Sequence, residues 1–83
     1  MKRTRLQLER KNAGKTQDQV ALETGYSSVF IKKLEAGTEN PGRDTIFILS
    51  RYYGVSPEVL FPDIFSGLYD RIPINMNEKN ERS

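Results

Sequence analysis

Residues 16–37, TQDQVALETGYSSVFIKKLEAG, decide the fold of this 83-residue chain. They form two short amphipathic segments joined at Gly25, with Ala21 four residues before the glycine and Ile31 and Leu34 six and nine after it. A small residue lets two helices cross closely, and a glycine accepts the positive φ of a tight turn. Apolar residues three apart share one helix face. This spacing predicts a helix-turn-helix whose second helix buries one stripe and leaves the other free for DNA.

Local signals predict an all-α domain. Thr16 is a good N-cap with Gln19 as its capping-box partner, and Gly37 and Gly54 are typical helix stops. Pro57 fits the first position of a short last helix that ends before Pro62. We predict five helices, over about residues 4–12, 17–24, 28–36 (or from 27), 43–53 and 57–61.

One domain and a short extension account for the whole length. We expect residues 1–62 to form the helix-turn-helix domain and residues 63–83 to form a C-terminal extension. The extension is expected to pack partly on the domain or on a second subunit, and to be disordered from Asn75 onwards, where it is polar. Because the core of so small a domain is marginal, oligomerisation would be unsurprising.

The composition argues against several classes of chemistry. The chain has no Cys and no His, which excludes disulfides, thiolate chemistry and sites built on histidine. The glycines are scattered, and the spacing of the acidic residues suggests no paired carboxylates. We therefore expect no enzyme activity, no metal and no cofactor. No apolar run approaches membrane-spanning length, so we expect no membrane contact, and the absence of Cys suits the cytoplasm.

The charge is uneven along the chain. Residues 1–51 hold ten Lys and Arg against six Asp and Glu, whereas residues 52–83 hold three against five. The basic part coincides with the helix-turn-helix, as phosphate binding requires, although a solvated charged face gives the same pattern. The first residues, Met1, Lys2, Arg3 and Arg5, form a basic arm that either frays in solvent or attracts phosphates.

An ordered set of residues over about positions 5–61 resembles the lambda-repressor-like helix-turn-helix family, which includes phage repressors, Cro proteins and bacterial XRE-type regulators. The residues that carry the resemblance are Gly14-Lys15-Thr16-Gln17, Ala21, Gly25, Ile31, Leu34-Glu35, Gly37, Asn40-Pro41 and Gly54-Val55-Ser56. The resemblance implies a compact five-helix domain from a bacterium or phage. It also implies a homodimer that places helix 3 in the major groove of a two-fold operator in double-stranded DNA.

The resemblance also assigns residue roles. Positions that read base edges correspond to Ser28, Val29 and Lys33, with Lys32 as a neighbouring candidate. Positions that contact phosphates correspond to Thr16 and Gln17 at the start of helix 2 and to Thr38, Asn40 and Arg43 around the following loop. Arg10 and Glu35 match an ion pair that ties helix 1 to helix 3.

Some positions depart from the family pattern. Glu9 stands where an apolar core residue is usual. Either the register of helix 1 is shifted, or Leu8 compensates for the missing apolar side chain. Several apolar residues are expected to contact a second subunit or the C-terminal extension: Phe47, Ile48, Phe61, Phe65 and Tyr69. We expect Tyr26 and Phe30 to be packing residues rather than DNA contacts.

Three hypotheses follow for the function. The first is a sequence-specific transcriptional regulator, a repressor in its simplest form. The second is an antitoxin-type module that neutralises a protein partner, with DNA binding secondary. The third is an activator or a restriction-system controller of the same fold, which sequence alone does not separate from a repressor.

Overall fold

The computed structural model describes residues 2–65 of the chain. They form helices α1 (Thr4–Asn12), α2 (Gln17–Thr24), α3 (Ser28–Ala36), α4 (Arg43–Tyr53) and α5 (Pro57–Leu60). Residues 62–65 are also helical, after a break at Phe61, and no strand occurs within the described range. The predicted all-α class is confirmed. The expectations for Tyr69 and for the segment from Asn75 onwards lie outside the described residues.

Local side-chain and backbone signals set the geometry of α2 and α3. The Oγ1 atom of Thr16 accepts a hydrogen bond from the backbone N–H of Gln19, and the Gln19 side chain accepts one from the N–H of Thr16. Gly25 adopts φ 83°, a left-handed conformation that L side chains rarely adopt. Ser27 then caps α3 by accepting a hydrogen bond from the N–H of Phe30. The turn between the two helices is therefore held by its own residues.

The core lies where all five helices meet. Its buried apolar residues within the described range are Leu6, Val20, Ala21, Ile31, Leu34, Leu49, Leu60 and Phe61. Tyr26 and Phe30 pack against it, with ring centroids 5.2 Å apart, so both are packing residues as predicted. Phe61 has a fully buried ring, and its carbonyl oxygen accepts hydrogen bonds from the N–H groups of Ile64 and Phe65. Of the two contacts expected for Phe61, the structure shows the one with the C-terminal extension.

Within the basic N-terminal arm, Arg3 corrects the expectation, because it is buried rather than frayed in solvent or free for phosphates, whereas Lys2 and Arg5 are exposed. Its Nη1 atom donates to the carbonyl oxygens of Leu34 and Glu39 at 2.7 and 2.8 Å. Its Nη2 atom donates to Asn40 Oδ1 at 2.9 Å and lies 3.2 Å from Asp63 Oδ2, and its guanidinium stacks over the Phe61 ring. Arg3 thus joins the start of the chain to the end of α3, to the following loop and to the residues after α5.

Glu9 lies on α1 and is paired with a charged residue rather than replaced in the core by Leu8. Glu9 forms an ion pair with Arg5 one turn earlier at 2.8 Å, and Leu8 is 47% exposed. Leu8 therefore does not compensate, and Leu6 is the buried residue that α1 contributes to the core. The bounds of α1 agree with the predicted ones. None of the helices in residues 2–65 is long and apolar enough to cross a membrane.

Candidate nucleic-acid interface

Helix α3 has one buried face and one exposed face. Ile31, Leu34 and Glu35 point into the domain, and each is at most 2% exposed. On the other side, Val29 is 61% exposed, and Lys32 and Lys33 are exposed as well. Three of the four residues predicted to read bases therefore share the accessible face. An exposed Val beside two Lys offers an apolar contact and cationic donors in one patch, which suits a major groove.

The fourth candidate, Ser28, makes a contact that sequence reasoning missed. It is half-buried, and its Oγ atom lies 2.6 Å from Oδ1 of Asp18, an exposed residue in the first turn of α2. An ionised carboxylate only accepts hydrogen bonds, so Ser28 donates its proton to Asp18. The ten-residue separation carries no helical or turn signature, and only the docking of α2 against α3 reveals this contact.

The start of α2 retains hydrogen-bond donors. The capping box uses the N–H groups of Thr16 and Gln19. Within residues 2–65 no protein acceptor binds the N–H groups of Gln17 and Asp18, so both remain free for an anion. The helix dipole places partial positive charge at the same end.

The side chain of Gln17 is not free, contrary to a simple phosphate-contact picture. Its Nε2 atom donates to Glu35 Oε1 at 3.0 Å. An amide nitrogen carries two N–H groups, so one donor remains for a phosphate. The phosphate contact of Gln17 stays a prediction, but the structure adds a positioning contact to α3.

Glu35 is the meeting point of three helices. Its Oε2 atom accepts a hydrogen bond from Arg10 Nε at 2.7 Å, and its Oε1 atom accepts from Arg10 Nη2 at 3.2 Å. This is the ion pair that the family resemblance implies. Donation of these hydrogen bonds to Glu35 raises the pKa of Arg10. Arg10 also donates to the carbonyl oxygen of Lys15. The network fixes the buried face of α3 against α1 and α2.

The loop after α3 and the first residue of α4 carry the remaining phosphate candidates. Thr38, Asn40 and Arg43 are all exposed. Asn40 uses its Oδ1 atom to accept from Arg3, so its NH2 group stays available as a donor. The N–H of Thr38 bonds to the carbonyl oxygen of Lys33 at 3.0 Å, which holds the loop close to the end of α3.

A second polar cluster connects α2 to α4. Glu23 accepts hydrogen bonds from Lys15 and from the hydroxyl of Tyr52. The pKa of Glu23 is lowered, mainly by the hydrogen bond from Tyr52 and to a smaller extent by the bond from Lys15. Burial is the main cause that raises the pKa of Tyr52 to about 12, and the hydrogen bond to Glu23 adds to it. Burial and then the nearby charge of Glu35 raise the pKa of the neighbouring Tyr53.

Apolar residues remain exposed away from the free face of α3. On α4, Phe47 is 54% exposed and Ile48 is 40% exposed. Phe47 also lines a groove of about 390 Å³, together with Arg43, Ile46 and Phe65. Phe65 is half-buried: part of its side chain packs against the core, and the rest lines this groove.

A capped helix, a glycine turn and a helix with a free basic face define a DNA-binding helix-turn-helix regulator. Comparison with known families agrees, since a family model described as helix-turn-helix matches residues 6–60. The chain belongs to this family, whose members are of the Cro/C1 and XRE-like type, which confirms the resemblance. Comparison with individual curated proteins gave no match, and neither did comparison with solved structures.

Proposed function

We propose that the protein is a transcriptional repressor that binds a two-fold operator as a homodimer. The observation that carries this proposal is the division of α3 into a buried face, with Ile31, Leu34 and Glu35, and a free face that bears lysines. Helix α3 lies in the major groove, and the bound dimer blocks polymerase by occupancy. Such a protein acts in the cytoplasm, on the nucleoid of a bacterium or on phage DNA, and has no catalytic role.

The exposed face of α3 reads base edges. Lys33 donates to the O6 and N7 acceptors of guanine, and Val29 contacts a thymine methyl group, with Lys32 as a neighbouring donor. A good base contact contributes about 1–3 kcal/mol of discrimination. Because valine discriminates weakly, much of the specificity comes from Lys33 and from DNA shape.

Two flanking elements hold the DNA backbone. The free N–H groups at the start of α2, beside Thr16 and Gln17, bind one phosphate. Thr38, Asn40 and Arg43 in and after the next loop bind others, and the positive balance of residues 1–51 attracts the duplex over a longer distance. These contacts orient α3 without reading sequence.

The homodimer forms through the exposed apolar residues of α4. Phe47 lines a groove together with Phe65, and Ile48 is the next exposed residue on the same helix. Exposed apolar surface of this kind favours association. A symmetric dimer presents two copies of α3 to half-sites about one helical turn apart.

Selection from random double-stranded DNA tests the proposal. The purified full chain should enrich a two-fold motif at low salt, and a gel shift should show binding to that motif that weakens as salt rises. Failure to enrich any motif would reject sequence-specific regulation. A promoter fused to the selected motif then separates repression from activation or control of a restriction system by the sign of its response.

The exposure of Phe47 and Ile48 also supports a second candidate, an antitoxin-type module that binds a protein partner. In that case the protein purified from its native extract should carry a partner in fixed proportion. A monodisperse homodimer without a partner would favour the repressor.

A further inference from the structure

The hydrogen bond between Ser28 and Asp18 changes what the first residue of α3 can recognise. Ser28 begins α3 and Asp18 lies in the first turn of α2, so the pair joins the N-terminal ends of both helices. The pair lies at the surface, next to the exposed Val29. Its O···O distance of 2.6 Å is typical of a hydroxyl that donates to a carboxylate.

A free serine hydroxyl discriminates poorly between bases because it both donates and accepts hydrogen bonds. In this structure the Ser28 proton is already donated to Asp18. What remains are lone pairs on the Ser28 Oγ atom and on the Asp18 carboxylate, all of them acceptors. The pair therefore needs a donor on the base edge.

Major-groove donors occur on only two bases. Cytosine presents its N4 amino group and adenine presents its N6 amino group, whereas guanine and thymine present O6, N7 or O4 acceptors. An acceptor placed against guanine or thymine meets electrostatic repulsion and leaves both groups unpaired.

Resting on the proposed function, we infer that Asp18 and Ser28 form one specificity-determining unit. The unit selects adenine or cytosine on the strand that it faces and rejects guanine and thymine at that position. The carboxylate also repels the polyanionic duplex as a whole, so Asp18 lowers affinity for all DNA while it sharpens the choice at one base.

Random-sequence selection with the full chain tests this inference. The wild type, Asp18→Asn and Ser28→Ala are compared, and the position whose preference changes in Ser28→Ala marks the contacted base. At that position the wild type should enrich adenine or cytosine. The amide that replaces the carboxylate adds N–H donors, so Asp18→Asn should accept guanine or thymine there, with discrimination reduced about tenfold, the ratio that corresponds to 1.4 kcal/mol.

A matched charge control is available on α5. Glu58 is exposed in the first turn of that helix, and Glu58→Gln removes the same charge away from α3. This variant should leave every base preference unchanged. Thermal unfolding of each variant checks that the fold is intact, which is expected because Asp18 is exposed.

The outcomes separate the inference from the function on which it rests. If Asp18→Asn strengthens binding to all sequences equally and keeps the same preferences, Asp18 acts only through its charge and the inference is overturned. A wild-type preference for guanine or thymine at the contacted position also overturns it, while sequence-specific binding stands. If the wild type enriches no motif, the proposed function fails and this inference falls with it.

Discussion

The guanidinium of Arg10 lies 2.7 Å from the carboxylate of Glu35, which is 1% exposed. Arg10 belongs to α1 and Glu35 to the buried face of α3, so the pair fixes how α3 is rotated about its own axis. Gln17 on α2 donates to the same carboxylate. One buried charge therefore holds the exposed lysines of α3 in place relative to both preceding helices.

Glu35→Ala should lower the free energy of unfolding by about 3 kcal/mol, because it leaves the positive charge of Arg10 without its carboxylate partner. Urea denaturation measures the effect. The double variant Arg10→Met with Glu35→Leu should recover most of this loss, since apolar residues replace a buried ion pair at little net cost.

The exposed pair of Lys15 and Glu23 supplies the control for Glu35→Ala. Both side chains are at least one-third exposed, and Lys15→Ala should cost less than about 1 kcal/mol. Equal losses from Lys15→Ala and Glu35→Ala would show that burial adds nothing to the Arg10–Glu35 pair.

Arg3→Ala should destabilise the domain by about 2 kcal/mol or more, because several carbonyl and side-chain acceptors lose a charged donor. Arg3→Lys should recover only part of the loss, because a lysine ammonium lacks the planar fork of donors with which the guanidinium reaches several acceptors at once. Hydrogen exchange at Thr38 should accelerate in Arg3→Ala, as the loop after α3 loses its anchor. Lys2→Ala, at an exposed position, is the control, and an equal effect from it would contradict the role of Arg3.

The helix-turn-helix could be predicted from sequence because its determinants are local. The capping box of Thr16 and Gln19, the positive φ at Gly25 and the stripe of Ile31 and Leu34 all depend on residues within one or two turns. The helix bounds followed from these signals. The Arg10–Glu35 pair required the family resemblance, since a separation of 25 positions has no local signature.

The contacts that could not be predicted from sequence depend on long-range packing. Arg3 finds backbone carbonyls more than 30 positions away, and a carbonyl acceptor has no residue-type signature in sequence. Phe61 follows the last turn of α5, and whether it faces the core or solvent depends on the chain direction after the helix break. The contact of Asp18 with Ser28 depends on the docking of α2 against α3.

Lys33→Ala should weaken binding to the selected operator by about 1–3 kcal/mol and relax the preference at one base position. The fold should be unchanged, because the Lys33 side chain is exposed. Arg43→Ala is the contrasting variant: a lost phosphate contact should weaken binding to all sequences and reduce the salt slope by about 1. Titration of both variants against operator and random DNA at several salt concentrations separates the two roles. A uniform loss from Lys33→Ala would place Lys33 on the backbone instead.

Stability should fall at alkaline pH because of Tyr52. The pKa of this hydroxyl is about 12 in the folded protein and about 10 in an unfolded chain. Between these values the unfolded state loses a proton that the folded state keeps, so the free energy of unfolding decreases as pH rises from 10 to 12. Tyr52→Phe should reduce this decrease, as measured by urea denaturation across that range. An unchanged pH dependence would show that Tyr52 titrates alike in both states.

Phe47→Lys should convert the dimer to a monomer without unfolding it. Phe47 is 54% exposed, so a lysine reaches solvent in the monomer, whereas a symmetric interface would bring two like charges together. Sedimentation should show the monomer, and circular dichroism should show unchanged helix content. Operator affinity should fall, because each monomer engages one half-site alone. Leu22→Lys on α2, at a position 83% exposed, is the matched control and should leave the dimer intact. If Phe47→Lys unfolds the chain, Phe47 supports the fold and the interface lies elsewhere.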